Sequence, residues 1–112
     1  MDNVKDDSYY VRKILTDISY LMSKTEGIEL DELESDETLC DSVLFRLIQI
    51  AENAKNLTAR FKSEHDEIPW QAIVGMRNRI VHEYGDVEFD IVYDTVTKDI
   101  PELYEMLEQI QF

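Results

Sequence analysis

The stretch TLCDSVLFRLIQIAENAKNLTARFKSEH, residues 38–65, decides the fold. Val43, Leu47, Ile50, Ala51, Ala54, Leu57 and Phe61 recur mostly at steps of three and four, the period of one face of an α-helix. Neither Gly nor Pro interrupts them. The spacing predicts one long amphipathic helix from about Thr38 to His65, with Glu52 and Lys55 at the edge of its apolar stripe. A helix with one apolar stripe must bury it, and the partners lie on either side in sequence.

Upstream, Val4, Val11, Ile14, Leu15, Ile18, Leu21 and Met22 mark a helix over residues 2–24. Asp2, Asp6 and Asp7 sit where its N-terminal dipole favours anions, and Gly27 is placed to cap its C-terminus. Residues 26–37 are rich in Asp and Glu around Ile28, Leu30 and Leu33, which predicts a linker with one short helical turn. Downstream, Pro69 starts a third helix that runs from Trp70 to about Tyr84 and closes at Gly85-Asp86. From about Glu88, a fourth helix carries Phe89, Val92, Val96, Ile100, Leu103, Leu107 and Ile110 on one face. Pro101 lacks an amide and its ring clashes with the preceding turn, so a kink or split is expected there. There are no repeats and no convincing strand. The expectation is an all-α fold, a single domain over residues 1–112 built as an antiparallel four-helix bundle.

Composition agrees with that class. A chain of 112 residues that is 44% apolar and 10% aromatic can bury a modest core without staples. Cys40 is the only cysteine, which excludes an intrachain disulfide and points to a reducing compartment. No apolar run approaches the roughly 18 residues of a membrane span, and the acidic N-terminus is unlike a signal peptide. A cytoplasmic protein without membrane attachment is expected.

The net charge of −14 is unevenly spread. Residues 46–82 hold Arg46, Lys55, Arg60, Lys62, Arg77 and Arg79 against Glu52, Glu64, Asp66 and Glu67, a local +2, while the remainder carries −16. The acidic shell is either a solvated surface that maintains solubility or a docking surface for a basic partner.

Within the cationic middle, Arg77-Asn78-Arg79-Ile80-Val81-His82-Glu83-Tyr84 gathers a permanent guanidinium, an imidazole that titrates near neutrality and a phenol within about two helical turns. Trp70, Ile73, Val74, Ile80 and Val81 project onto one stripe of an ideal helix, and Arg77 falls in its middle with Tyr84 almost directly below. A guanidinium on a buried stripe requires a partner. Either Glu52 pairs with it internally, or the stripe faces a subunit cleft that admits an anion. His82 lies about 140° around the helix from Arg77 and shares its face with Asn78. Convergence of the two therefore needs a loosened helix near Gly85 or a second subunit across a two-fold axis. Gly75 is placed to allow close helix–helix contact.

Other chemistries find little support. His65 and His82 are the only histidines, and no Cys/His spacing suits zinc. The chain has no Gly-rich phosphate loop and no serine elbow, and no Asp/Glu pattern singles out a metal. No cofactor is expected.

The run from Trp70 to Tyr84 resembles the signature of HepT-like HEPN proteins: Arg, four residues, His, one residue, Tyr. Arg77, His82 and Tyr84 match it without a gap. The resemblance extends over nearly the whole chain. Tyr10 to Ile18 is similar to the family's first helix, and Asp41 to Leu57 to its second, although Ala51 stands where a Gly is common. Asp99-Ile100-Pro101-Glu102-Leu103 resembles its last helix.

The resemblance implies an all-α dimer in which two Arg/His motifs meet in a cleft. It implies a metal-independent ribonuclease, the toxin of a type VII-like toxin–antitoxin pair. Arg77 would hold the scissile phosphate, and His82 would act as general acid–base. Asn78 would be a supporting residue. Tyr84 would accept AMP from a minimal nucleotidyltransferase antitoxin, which silences the toxin. RNA carries its own nucleophile in the 2′-hydroxyl, so one guanidinium and one imidazole per subunit suffice for such a site. The acidic charge favours a small, shape-selected RNA such as a tRNA end. Two other readings remain at this point: a non-catalytic substrate-binding subunit of a two-component nucleotidyltransferase, and a structural dimer with Arg77 locked in an ion pair.

Overall fold

In the computed structural model, which describes residues 5–80 and 87–112, every described element is a helix. Helix α1 spans Asp7–Thr25, α2 Leu30–Ser35, α3 Glu37–Lys55, α4 Ala59–Glu64, α5 Trp70–Val74 and α6 Met76–Ile80. Helix α7 spans Phe89–Asp94 and continues through a π-helical segment, Thr95–Asp99, into α8, Ile100–Glu108.

Helices α1 and α3 form the centre of the bundle. Val11, Ile14, Ile18 and Leu21 are buried along α1. They face the buried Val43, Leu47, Ile50 and Ala54 of α3, both sets at helical spacing. Helix α8 packs on α1 through Ile100, Leu103 and Leu107, and α5 and α6 pack on α3 through Trp70, Ile73, Met76 and Ile80. Leu33 of the short α2 is fully enclosed, so the acidic linker is pinned to the core. These side chains form one contiguous apolar cluster.

Local chemistry sets the boundaries. The Asp6 carboxylate accepts from Tyr9 N and caps α1, whereas Gly27 takes the left-handed φ of 70° just past its end. Asp36 caps α3 by accepting from Leu39 N. Glu29 and Glu32 form a reciprocal capping box on α2.

Three expectations need correction. The predicted helix 38–65 breaks after Lys55: Asn56 and Leu57 turn the chain, and Thr58 caps a separate α4 by accepting from Phe61 N. The turn is held from outside, because Asp7 Oδ1 and Oδ2 accept from Thr58 N and Thr58 Oγ1, each at 2.8 Å. The predicted helix 70–84 is interrupted by a turn at Gly75 and resumes as α6; its expected end at Tyr84 and Gly85-Asp86 lies outside the described residues. A Cβ built at Gly75 would meet only Gln71 O, at 3.2 Å, so among the described residues this glycine does not bring a neighbouring helix close.

Pro101 does not split the last helix. The chain changes register just before it, with Ile100 N donating to Thr95 O, five residues back. The hydroxyls of Thr95 and Thr97 each bond the carbonyl four residues back at 2.7 Å, competing with the ordinary α ladder. One widened turn thus absorbs the missing amide, and α8 carries Pro101 in its first turn, where no amide is needed. With α5–α6 and α7–α8 each counted as one interrupted arm, the four-helix arrangement stands.

Candidate active site

Helix α6 starts again after Gly75. The inward set is Trp70, Ile73, Met76 and Ile80. Met76 is buried beside Ile73 and Ile80, and Arg77 is exposed. The expectation of a guanidinium on a buried stripe is therefore corrected. Of the two alternatives for Arg77, the ion pair with Glu52 is absent among the described residues, whose ion pairs are Arg46–Asp17, Arg60–Glu64 and Lys98–Asp94.

Arg77 and Asn78 line one side of a cleft of about 230 Å³ between α6 and α3. Val74, Ala51 and Ile48 supply its apolar lining, and Glu52 and Lys55 line it from α3. The cleft therefore holds two cations and one carboxylate in a chain whose net charge is −14. An exposed guanidinium with no partner among the described residues can turn its N–H donors toward an incoming oxyanion. A neighbouring cleft of about 320 Å³ begins on the far side of Val74 and is lined by Lys62, Trp70, Gln71 and Gly75.

The remaining cations of the middle segment are engaged elsewhere. Arg46 pairs with Asp17 at 2.8 Å. Arg79 donates to Ala72 O at 3.3 Å and borders a small pocket against α8. Of the sequence-predicted site residues, Arg77 and Asn78 share the cleft, whereas His82 and Tyr84 lie outside the described residues. Sequence reasoning placed Lys55 only at the edge of a stripe and gave Lys62 no role. The signal that pointed to both was the local +2 over residues 46–82.

Fold and cleft together define an all-α protein with a cation-lined groove beside an Arg/His motif. A family model described as ribonuclease HepT-like matches residues 14–110. The chain is 34% identical over 101 residues to "Putative RNase TTE0752" of Caldanaerobacter subterraneus, spanning 90% of each chain. It is also 34% identical over 102 residues to "Probable ribonuclease HepT" of Thermococcus cleftensis, covering 82% of this chain and 93% of that one. A third relative, "Gamma-glutamylcyclotransferase and putative RNase MJ0434" of Methanocaldococcus jannaschii, is 31% identical over 106 residues, with 95% of this chain matching 48% of its length. No solved structure matches. The chain belongs to the HepT-like ribonuclease family.

Proposed function

We propose that this chain is a metal-independent endoribonuclease that works at the Arg77 cleft as a homodimer, and that it is the toxin of a toxin–antitoxin pair. The observation that carries the reading is the guanidinium of Arg77, exposed and without an ion-pair partner among the described residues, in a cationic cleft of a HepT-like ribonuclease. A guanidinium serving stability would be buried against a carboxylate; this one presents its donors to solvent.

In this reading Arg77 binds the non-bridging oxygens of the scissile phosphate and stabilises the charge that develops on them. His82, five residues later in sequence, removes the proton of the 2′-hydroxyl or returns one to the leaving oxygen. Attack of the 2′-oxygen on the adjacent phosphorus forms a cyclic phosphate and breaks the bond to the next nucleoside. The nucleophile comes from the substrate, so no metal-activated water is required. Asn78 orients the phosphate from the next position on α6.

Dimerisation is supported by Phe45, which is 58% exposed on α3 and lies one turn before Ile48 of the cleft. An apolar side chain of that size left in water beside a site fits a surface that a second copy covers. The partner enzyme proposed is a minimal nucleotidyltransferase. It would join the Tyr84 phenol oxygen to the α-phosphorus of ATP, with pyrophosphate as the leaving group. A phenol two residues beyond His82, once adenylylated, places a phosphate where RNA needs to bind. The acidic exterior suits a basic surface on that partner.

The test is cleavage of labelled tRNA and single-stranded RNA in excess chelator by the wild type, Arg77→Ala and His82→Ala. The wild type is expected to cleave and both variants to be inactive. Undiminished cleavage by both variants removes the assigned roles, and binding to the nucleotidyltransferase without any cleavage moves the chain to the substrate-binding alternative.

A further inference from the structure

The chain has eleven Lys and Arg. Seven are engaged. Arg46, Arg60 and Lys98 pair with carboxylates. Arg12 bonds Ser8 Oγ and Arg79 bonds a carbonyl. Lys5 and Lys24 lie over tyrosine rings. Among the described residues, Lys13, Lys55, Lys62 and Arg77 are left without such a partner. Three of these four line the two clefts that adjoin across Val74. The free positive charge of an acidic protein is thus gathered along one side of α5–α6.

We propose that Lys55 and Lys62 are phosphate-positioning residues that lead a single RNA strand along α5–α6 into the Arg77 site. This rests on the ribonuclease reading and adds to it a route and a polarity-independent footprint. From Gln71 to Asn78 the wall runs about 10 Å by helical rise, against the ~3.4 Å rise per nucleotide of a stacked strand. A track of that length admits flanking nucleotides as well as the scissile one. Lys55 stands across the cleft from Arg77, and Lys62 stands in the neighbouring cleft. Gln71 and Asn78 add one amide in each cleft, able to donate to phosphate or to base edges. Trp70 is buried and donates its indole N–H to His65 O at 3.0 Å, so this ring is no stacking platform, and among the described residues the track holds the backbone through charge. The narrow patch, three cations against the one carboxylate of Glu52, discriminates against double-stranded RNA, whose phosphates would also meet the acidic shell. The substrate class is therefore a single strand or an unpaired end.

The experiment is fluorescence anisotropy of an end-labelled, 2′-O-methylated oligouridylate that cannot be cleaved, titrated with the full chain over a range of salt concentrations. Cleavage of the unmodified oligouridylate is measured in parallel. Lys55→Gln and Lys62→Gln are each expected to weaken binding and to reduce the magnitude of the salt slope by about 0.7, the loss of one phosphate contact on a single strand. Lys13→Gln, the unengaged cation outside the clefts, is expected to leave both unchanged. A slope equal to that of the wild type in both cleft variants overturns the track, and so does equal competition by polyglutamate, which would mark the surface as one for acidic proteins. Binding that depends on Lys55 and Lys62 without cleavage upholds the track and refutes the ribonuclease reading. Cleavage with an unchanged KM in both variants does the reverse.

Discussion

Arg46 Nη1 donates to Asp17 Oδ1 at 2.8 Å while the Arg46 guanidinium lies 3.9 Å from the ring centroid of Tyr20. Tyr20 in turn places its hydroxyl 2.6 Å from Ser42 Oγ on α3. One side chain of α3 thus grips two residues of α1, three positions apart on the same helical face. The grip lies at the margin of the apolar seam, with Asp17 only 8% exposed. An ion pair that is partly shielded and backed by an aromatic face retains more of its strength than a surface pair. It also removes Arg46 from the pool of cations that an anion could recruit.

Removing one partner of that pair leaves the other partly desolvated and alone. Arg46→Ala is therefore expected to lower unfolding stability by about 2 kcal/mol, as measured by urea denaturation, while ribonuclease activity per folded molecule is retained. Asp17→Asn, which keeps a neutral acceptor, should lose less.

The corner at Thr58 is a second long-range clamp, and here two functions fall on one hydroxyl. It caps α4 and donates to Asp7 at the start of α1. Thr58→Ala removes both, so its cost should exceed that of a simple cap and reach about 2 kcal/mol. Thr58→Ala and Asp7→Ala should be clearly non-additive in a double-mutant cycle followed by thermal unfolding. Additive losses would show that the two ends of the clamp act independently.

Those clamps show why the sequence disclosed some elements and hid others. The stripes of α1 and α3 were legible because a regular helix buries every third or fourth residue, and Val11 to Leu21 and Val43 to Ala54 keep that rhythm without interruption. The break at Thr58 was not legible, since Leu57 and Phe61 remain buried on either side of it and mimic a continuous face. The cause is Asp7, 51 residues away. The register change before Pro101 likewise depends on two threonines bonding back to the helix, which periodicity does not report. At the site, the identity of Arg77 was legible but its burial was not. The projected stripe left out Met76, which is buried with Ile73 and Ile80 and moves the centre of the inner face away from Arg77.

Cys40 is buried in α3, and burial followed by the charge of neighbouring Asp41 raises its thiol pKa. The folded-state value lies above the unfolded one, so the neutral thiol is favoured. Its contribution to stability is present below the unfolded pKa and is lost as pH rises through the folded value. Labelling by a maleimide at slightly alkaline pH should accordingly be at least tenfold slower in the native protein than in urea. Equal rates would mean that α3 opens near Cys40 under native conditions.

Asp6 provides the opposite sign. Its carboxylate accepts first from Tyr9 N and then from Ser8 Oγ, and these bonds lower its pKa. The stabilisation of the α1 terminus is present above the unfolded carboxylate value and fades as acid carries the pH down through the folded one. Asp6→Asn keeps a capping oxygen but does not titrate, so the melting temperature of this variant should fall less steeply than that of the wild type between neutral and acid pH.

The decisive substitution is at Arg77, because exposure separates its two possible roles. A guanidinium that held the bundle together would, when truncated, cost several kcal/mol. One that is exposed and unpaired among the described residues should cost less than about 0.5 kcal/mol. Arg77→Ala is therefore expected to give a wild-type urea midpoint and an RNA cleavage rate reduced about 100-fold or more, the scale seen when a single charge-stabilising donor is lost. Arg77→Lys restores charge but not the planar fork that binds two phosphate oxygens together, so it should recover binding before it recovers kcat. If Arg77→Ala instead unfolded at markedly lower urea while its residual folded fraction cleaved normally, the side chain would be structural and the catalytic assignment would fail.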